Sequence, residues 1–309
     1  MRVLDLFCGA GGLARGFEKA GFHVTGVDFS GDVQKTFELN SRGEFIRADL
    51  SRELIRGEYD LIIGGPPCRP WSAVNTTKRG KIHGDYHLIS RFFRHVIHHM
   101  PEVFMLENVP ALAKDEIFNR YLRKLRRHRY SIAHRVISYG DFGAPTRRRR
   151  LIVFGTRSGC ADNFFVMLEE YRRRSGTVRD AIWWLRGKKR GQVPDHVWPE
   201  LRTIHRYLGY YMTGKFGWYI LRWDEPAPSF GNIMKTYILH PDSFNGSGVT
   251  ARVISVKEAL LIMGFDREFR FPADAGISSR YQMVADAVSP VFSYVAAQVI
   301  KKVINHSEG

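Results

Sequence analysis

A short segment, GGPPCRPWS (residues 64–72), places a thiol group where it could act as a nucleophile. Cys68 follows the apolar strand pattern YDLIIGG, and Pro66, Pro67 and Pro70 fix the backbone φ angles on both sides of it. Because ligands of open α/β sheets bind beyond the carboxyl ends of the strands, this pattern puts the thiol at the ligand-binding edge. An isolated cysteine is usually a small buried hydrophobe. Here the prolines restrict its position, as a reacting group requires, so Cys68 is a catalytic candidate.

Charged residues follow two later strand patterns. In PEVFMLENVP an apolar strand ends in Glu107 and Asn108, and a carboxylate at a sheet edge can give or share a proton. In GDFGAPTRRRRLIVFG four arginines lead into a strand, where alternation would put Arg148 and Arg150 on one face and the other two on the opposite face. A structural glutamate and a solvated basic patch are the alternative interpretations. The edge that carries the thiol is therefore predicted to hold an acid–base group and two cations.

The first strand pattern ends in a glycine-rich turn, DLFCGAGGLARGF. Gly9, Gly11 and Gly12 lie between a strand and a helix, where glycines let the backbone adopt positive φ angles and approach a ligand. The second strand ends in Asp28, where an acidic residue commonly accepts hydrogen bonds from a ribose, and Asp49 ends the third strand nearby. A tight βα turn without a ligand would also use these glycines. Since the spacing departs from G-x-G-x-x-G, the turn indicates a nucleoside cofactor other than NAD.

Strand and helix patterns alternate through the first half of the chain. The predicted strands are Val3–Phe7, His23–Asp28, Phe45–Ala48, Asp60–Gly64, Val103–Glu107, Ser131–Ser138 and Leu151–Gly155. The predicted helices are Leu13–Lys19, Asp32–Asn40, Leu88–His99, Glu116–His128, Ser255–Met263 and Ser289–Val303. Between about residues 156 and 250, aromatic, glycine and basic residues mix without a clear period. The patterns predict an α/β protein with a doubly wound, mostly parallel Rossmann-like sheet and a smaller irregular region.

Composition and charge favour a nucleic acid as partner. The 309 residues carry a net charge of +16, and arginine outnumbers lysine. Arginine suits phosphate and base recognition, although a merely basic surface would give the same balance. The scattered Cys8, Cys68 and Cys160 form neither a disulfide framework nor a zinc spacing, so no metal is expected. The sequence shows no apolar run of the ~18–20 residues that span a bilayer and no signal-peptide layout, which predicts a cytoplasmic protein.

The chain resembles the C5-cytosine DNA methyltransferase family in segments that follow one another in order: DLFCGAGGL, GGPPCRPWS, ENV, GAPTRRRR, RVISVKEALLIMGF with DREFRF, and YQMVADAVSP. They fall within residues 1–155 and 250–300, about two thirds of the chain. The resemblance implies S-adenosylmethionine as cofactor, double-stranded DNA as partner, and methyl transfer to C5 of a flipped-out cytosine in a short specific sequence. The chemistry has its own rationale, because C5 becomes nucleophilic once a thiolate has added to C6.

The resemblance also assigns roles to the matching positions. The catalytic set that it implies is Cys68, Glu107, Arg148, Arg150, Pro67 and Asn108. The thiolate would attack C6, the glutamate would contact N3 and the exocyclic amine, and the arginines would orient the base. The residues expected to border S-adenosylmethionine are Phe7, Gly9, Gly11, Gly12, Leu13, Asp28, Phe29, Asp49, Leu50, Pro66, Leu88, Asp286, Ala287 and Val288. Among them, Asp28 would bind the ribose and Asp49 would lie near the adenine.

Three positions depart from the family's pattern. Arg69 and Thr146 each replace a glutamine. The closing Gly-Asn-Ala-Val-Pro pattern reads Ala-Asp-Ala-Val-Ser at residues 285–289. The change at residues 285–289 affects the expected cofactor contact at Asp286. The change at Thr146 affects the packing around that residue.

Two domains are expected from the same resemblance. Residues 1–156, completed by 275–309, would form the catalytic and cofactor domain. Residues 157–274 would form the target-recognition domain, whose aromatic and basic residues suit base edges and phosphates. The segment 73–87 is predicted to close over DNA, with an ordinary surface loop as the alternative. The compact length leads us to expect a monomeric prokaryotic modification enzyme, for which a separate cognate endonuclease is a candidate partner.

Two alternatives keep the family and change the function. An enzyme of the tRNA-modifying branch would carry a Cys-Phe-Thr tripeptide, which this sequence lacks. A catalytically weak DNA-binding relative would fit the three departures but not the complete Cys68, Glu107 and Arg148 set. An NAD-dependent oxidoreductase fits the sheet but neither the glycine spacing nor ENV. The sequence therefore favours a DNA methyltransferase.

Overall fold

Seven strands form one sheet in the computed structural model, which describes residues 1–72, 80–201, 203–214, 217–236, 238–244, 246 and 250–305. The strands are β1 (Arg2–Leu6), β2 (His23–Asp28), β3 (Glu44–Arg47), β4 (Leu61–Gly64), β5 (Val103–Asn108), β6 (Ser131–Ser138) and β7 (Arg149–Thr156). Their order is β3-β2-β1-β4-β5-β7-β6, and only the pairs that include β7 are antiparallel. The strand order reverses between β1 and β4, where open α/β sheets bind ligands. The predicted doubly wound, mostly parallel sheet is confirmed.

Helices cover both faces of the sheet. They are α1 (Gly12–Lys19), α2 (Gly31–Asn40), α3 (Leu88–His99), α4 (Glu116–Arg127), α5 (Asp162–Glu169), α6 (Val178–Ile182), α7 (Leu208–Met212), α8 (Ile233–Thr236), α9 (Val256–Ile262), α10 (Ile277–Asp286) and α11 (Pro290–Asn305). Helices α1, α2, α5 and α11 share one core, whereas α3 and α4 share the other. The neighbouring residues Ile62 and Ile63 of β4 belong to different cores, as strand alternation requires. The five inner strands are thus buried on both sides, whereas the edge strands β3 and β6 are partly exposed.

Close packing brings the C-terminal helices next to the glycine-rich turn. A Cβ atom at Gly12 would lie 2.1 Å from the carbonyl oxygen of Val288. One at Gly16 would lie 2.3 Å from the backbone nitrogen of Tyr294. Because no larger residue fits at either position, glycine lets α1 approach α11 and the chain before it. This contact places residues 286–288 beside the carboxyl end of β1.

Polar side chains determine where several helices begin. Ser30 accepts a hydrogen bond from the backbone N–H of Val33 at the start of α2, and Asp115 accepts one from Ile117 at the start of α4. Ser255 forms a reciprocal capping box at the start of α9. These ends are fixed locally, and they agree with the predicted helix boundaries to within one residue.

The structure differs from the sequence-based prediction mainly in five helices, of which α6, α7 and α8 have only four or five residues each. The predicted strands, and the helices that were predicted, are present with ends that shift by one or two residues. Helix α5 lies in the region expected to be irregular, and α10 was not predicted at all. Both are short, and α5 contributes Phe164, Phe165 and Leu168 to the core shared with α11. A few buried aromatic residues in an eight-residue helix give too little periodicity to be recognised. The domain boundary at residue 156 stays a prediction.

The last two helices correct one expectation from the sequence, because they contain a long apolar run that was not recognised there. The stretch Ile277–Asn305 is long and apolar enough to cross a membrane, with a hydropathy of 1.4 over its most apolar window. However, 78% of that window is buried inside the protein. Burial of this extent is the pattern of core helices, and α11 indeed packs against α1 and α5.

Candidate active site

The turn that carries Cys68 follows β4 directly. Its backbone is held on one side by Asn108, whose side-chain amide donates to the carbonyl oxygen of Pro66 at 2.9 Å. On the other side the backbone N–H of Trp71 donates to the carbonyl oxygen of Cys68 at 3.0 Å. The thiol is partly buried and lies on the wall of a cavity. These two hydrogen bonds restrain the backbone of the turn on both sides of Cys68, and Asn108 supplies one of them.

Glu107, at the end of β5, is buried on the same edge. Its Oε1 accepts a hydrogen bond from the hydroxyl of Tyr139 at 2.7 Å and lies 3.0 Å from Nε of Arg150. A Cβ atom at Gly65 would come within 3.3 Å of Oε2, so the missing side chain leaves that oxygen room beside the cavity. One carboxylate oxygen is thus fixed by two donors, and the carboxylate itself forms part of the cavity wall.

Arg148 lies just before β7 and is 4% exposed. Its two terminal nitrogens donate to the carbonyl oxygens of Phe230 at 3.2 Å and Ala285 at 2.6 Å. Its Nε is buried and has no hydrogen-bond partner in the part of the chain that the structure describes. Burial lowers the pKa of Arg148 from its usual value, and the charge of Arg150 lowers it further. Both arginines point inward while their neighbours Arg147 and Arg149 are exposed, so the predicted alternation is confirmed.

The charged groups around Cys68 act in opposite directions. Burial raises the pKa of the thiol above its ordinary value. The cation of Arg150, and less strongly that of Arg148, lowers it, whereas the carboxylates of Asp286 and Glu107 raise it. The thiol therefore stays protonated in the free protein at neutral pH. The two arginines provide the positive charge that a thiolate would need.

One cavity of about 590 Å³ joins these groups to the glycine-rich turn. Most of the predicted site residues line it: Phe7, Gly9, Leu13, Asp28, Phe29, Asp49, Leu50, Pro66, Pro67, Cys68, Leu88, Glu107, Arg148, Arg150, Asp286, Ala287 and Val288. Three predicted residues do not line it. Gly11 caps α1 with a φ of 76°, Gly12 packs against Val288, and Asn108 lies behind the Cys68 turn. These three support the wall and do not form its surface.

The end of the cavity near β1 and β2 suits a nucleoside. Asp28 accepts backbone hydrogen bonds from Gly9 at 3.3 Å and Ser30 at 3.1 Å, and burial raises the pKa of its carboxyl. Phe7, at the start of the turn, has a φ of 59°, which is rare for a residue other than glycine and is typical of functional turns. Phe29 is 72% exposed although it is aromatic, and it borders the same space. A buried carboxylate beside an exposed ring fits the ribose and base of S-adenosylmethionine.

Several residues that line the cavity were not among the predicted site residues. Helix α10 contributes Ser279, Gln282 and Met283 to the wall together with Asp286. Their spacing of three, four and seven residues is the signature of one helix face, and it was available in the sequence. Gln282 donates to Asp286 at 2.8 Å, so the departure from asparagine at this position is stabilised within the helix. Tyr139, which binds Glu107, gave no signal because its partner is distant in sequence.

The other two departures have local partners. Arg69 borders the cavity and pairs with Asp85 at 3.7 Å. Thr146 is fully buried, and the adjacent backbone pairs with Ala227, where Arg147 donates to Ala227 at 2.8 Å. Thr146 therefore lies where the sheet region contacts the segment DEPAPSFGN (residues 224–232). The segment 73–87, predicted to close over DNA, lies partly outside the described residues.

Comparison with known proteins agrees with this site. The family model of the C-5 cytosine-specific DNA methylases matches residues 1–302. A type II methyltransferase of Fusobacterium nucleatum is 26% identical over 100% of this chain and 96% of its own. One from Methanothermobacter thermautotrophicus is 30% identical, with 98% and 97% covered. The fold is shared with an E. coli prophage protein described as a candidate DNA modification methyltransferase, with a TM-score of 0.76, 22% identity and 99% of both chains covered.

The chain therefore belongs to the C-5 cytosine-specific DNA methylase family. It is a DNA methyltransferase that acts on C5 of cytosine. Membership and fold imply the use of S-adenosylmethionine, and the cavity and the carboxylate of Asp28 suit that cofactor.

Proposed function

We propose that this protein is the modification enzyme of a restriction–modification system and that it methylates a flipped-out cytosine within a short duplex sequence. The observation that carries the mechanism is the convergence of Cys68, Glu107, Arg148 and Arg150 on one cavity that continues to the nucleoside-binding turn. The names of the type II methyltransferases to which it is similar support the modification role. A separate endonuclease, a monomeric state and a cytoplasmic location belong to the same proposal.

Cys68 acts as the nucleophile in this mechanism. The thiol loses its proton to solvent as the cytosine enters, and the guanidinium groups of Arg150 and Arg148 stabilise the thiolate. The sulfur then forms a bond to C6, which makes C5 nucleophilic, and C5 takes the methyl group. Water then takes the C5 proton, the sulfur–C6 bond breaks with its electron pair going to sulfur, and the released thiolate regains a proton from solvent. Pro67 and Asn108 keep the turn in place through these steps.

Glu107 recognises the base while these bonds form. Oε1 is already bound by Tyr139 and Arg150, so the orientation of the carboxylate is fixed before substrate arrives. The remaining oxygen accepts a hydrogen bond from the exocyclic amine of cytosine and shares a proton with N3. Arg148, whose Nε has no hydrogen-bond partner among the described residues, keeps a positive charge beside the base.

S-adenosylmethionine would supply an electrophilic methyl group on its sulfonium. Asp28 would hold the ribose, while Asp49 and Leu50 would lie near the adenine. Asp286 also lines the cavity and would add negative charge near the sulfonium. Recognition of the DNA sequence is assigned to residues 157–274, in which aromatic and basic residues are frequent.

Methyl transfer to nucleic acid tests this proposal directly. Labelled S-adenosylmethionine is incubated with duplex DNA and, in parallel, with tRNA, using the wild type and Cys68→Ser. We expect label at C5 of cytosine in DNA, none in tRNA, and none with the variant, which should still bind DNA. Label in tRNA alone would assign the protein to the RNA-modifying branch. A Cys68→Ser protein that methylates at the wild-type rate would refute the nucleophile.

A further inference from the structure

The carboxylate of Asp115 connects the two ends of the chain segment that follows Cys68. Its Oδ2 accepts a hydrogen bond from the indole Nε1 of Trp71 at 2.8 Å. Its Oδ1 accepts one from the hydroxyl of Tyr86 at 3.0 Å. The rings of Trp71 and Tyr86 also contact each other, with centroids 5.5 Å apart. Residues 71 and 86 are therefore held at one point, although fourteen residues separate them in sequence.

The position of Asp115 in the chain relates this contact to catalysis. Trp71 is bonded through its backbone to Cys68, so the indole bond to Asp115 fixes the far side of the nucleophile turn. Asn108 fixes the near side through Pro66. Asn108 is the last residue of β5, next to Glu107, and Asp115 lies seven residues further along the chain, at the start of α4. One short stretch of chain thus carries the glutamate and holds the cysteine turn from both sides.

We propose that Asp115 is a positioning residue for the nucleophile, acting through Trp71 and Tyr86 to keep the Cys68 turn in register with Glu107. This inference rests on the proposed role of Cys68. Hydrogen bonds to a carboxylate are stronger than those between neutral groups, and two of them restrain the turn at its exit. Small displacements of a reacting atom are costly, because a shift of about 1 Å can lower a rate by roughly 10²-fold.

The contacts go beyond what helix capping requires. As the cap of α4, Asp115 needs only its bond to the backbone N–H of Ile117, at 2.8 Å. The bonds to Trp71 and Tyr86 are additional, and both come from the segment after the nucleophile. Burial and the hydrogen bond to Asp115 together raise the pKa of Tyr86 to about 12, so its phenol stays a donor at neutral pH.

Two substitutions separate capping from positioning. Asp115→Ser keeps a good helix cap, but its hydroxyl is too short to reach both aromatic donors. Asp115→Asn also keeps the cap and retains one acceptor oxygen, so it should recover part of the function. Ser131→Ala is the matched control, since it removes the hydroxyl that accepts a hydrogen bond from the backbone N–H of Ala161 at the start of α5, away from the cavity.

The measurements are the single-turnover rate of methyl transfer, the affinities for S-adenosylmethionine and for DNA, and the thermal midpoint. We expect Asp115→Ser to lower the rate by about 10–100-fold while both affinities change less than twofold. Asp115→Asn should lower the rate less, and Ser131→Ala should lower the midpoint without changing the rate. Tyr86→Phe alone should lower the rate a few fold. Added to Asp115→Ser it should lower the rate no further, because the hydrogen bond between Tyr86 and Asp115 is already lost.

Three results would overturn the proposal. A wild-type rate in Asp115→Ser, with Cys68→Ser inactive, would remove the positioning role and leave the nucleophile in place. If the rate of Asp115→Ser falls only in proportion to its folded fraction, and that of Asp115→Asn falls equally, Asp115 acts only as a helix cap. An active Cys68→Ser enzyme would instead refute the proposed function on which the inference rests.

Discussion

Two buried arginine–glutamate pairs lie in different parts of the described chain, one in the sheet region and one beyond residue 156. Glu107 pairs with Arg150 and binds Tyr139, and both members of the pair line the cavity. Glu258 is bound at both oxygens by Arg252, at 2.7 and 2.8 Å, and is fully buried. The chemistry of the pairs is the same, but their surroundings differ.

The difference lies in what else each carboxylate can contact. Glu258 also accepts the backbone N–H of Ser255 at 2.7 Å and lies 3.6 Å from Nε2 of His240, so protein groups surround it. Such a closed pair stabilises a region whose helices are short. Glu107 keeps one side toward the cavity, which leaves capacity for a ligand. Breaking the open pair, Glu107 with Arg150, should therefore lower the rate of methyl transfer. Breaking the closed pair, Glu258 with Arg252, should lower the stability of the fold.

The largest effect is expected for Glu107→Gln. Glutamine keeps the size and can still accept from Tyr139, but it removes the negative charge and the ability to share a proton. Methyl transfer should fall by roughly 10²–10⁴-fold, with little change in cofactor affinity. Single-turnover kinetics measure this, with Glu116→Gln as an exposed control that should leave the rate unchanged. A loss of less than about threefold would contradict the assigned role.

Glu258→Gln should act on stability instead. Removing one partner of a buried ion pair leaves the other uncompensated, which costs about 3–5 kcal/mol in the free energy of unfolding. Urea unfolding at pH 7 measures the loss. Arg179→Ala, which breaks the exposed pair with Asp224, is the control and should change little. A Glu258→Gln protein that is as stable as the wild type but inactive would reverse the comparison between the two pairs.

The closed pair also predicts a dependence on pH. Burial by itself would raise the pKa of Glu258, but hydrogen bonding to Arg252 and its charge outweigh burial and lower the pKa to about 2. Because the folded pKa lies below the unfolded one, the stabilisation is complete above about pH 5 and is lost as pH falls toward 2. The stability difference between wild type and Glu258→Gln should therefore shrink from pH 7 to pH 3.

Asp28→Ala should have a smaller effect, on cofactor binding alone. Loss of hydrogen bonds to a charged group costs about 1.5–3 kcal/mol, which corresponds to roughly 10–100-fold in affinity. Titration calorimetry with S-adenosylhomocysteine measures it, and DNA affinity should change less than twofold. An equal loss of both affinities would indicate misfolding of the turn and not a missing ribose contact.

The smallest effect concerns a buried carboxyl that lacks a partner. Asp5 in β1 is fully buried, and neither of its oxygens has a hydrogen-bond partner among the residues described. Burial raises its pKa to about 8. The folded state therefore holds a proton that the unfolded chain releases near pH 4, so the contribution of this group to stability falls as pH rises from 4 to 8. Thermal midpoints at pH 6 and pH 9 should differ less in Asp5→Asn than in the wild type; an equal difference would contradict this.

The two regions were also unequally predictable from sequence. The strands around Cys68 and Glu107 have strong apolar patterns with polar residues at their ends, so their bounds were predicted to within two residues. Helix α5 is short and aromatic, and it was missed. In the region beyond residue 156 polar pairs such as Arg252 and Glu258 supply stability, and side-chain pairing leaves no periodic signal. Strand patterns with polar residues at their ends therefore indicated the candidate catalytic residues, whereas no local pattern indicated the scaffold beside them.

The sequence by itself determined the seven strands and six of the helices, the turn that holds Cys68, and the placement of Arg148 and Arg150 on one face. Each of these depends on residues that are neighbours in the chain, where periodicity and backbone restriction act directly. Only the tertiary structure decided that Ser279 and Gln282 of α10 face the glycine-rich turn, and that Asp115 binds both Trp71 and Tyr86. These contacts join residues far apart in sequence, and their geometry follows from how closely the helices pack on the sheet.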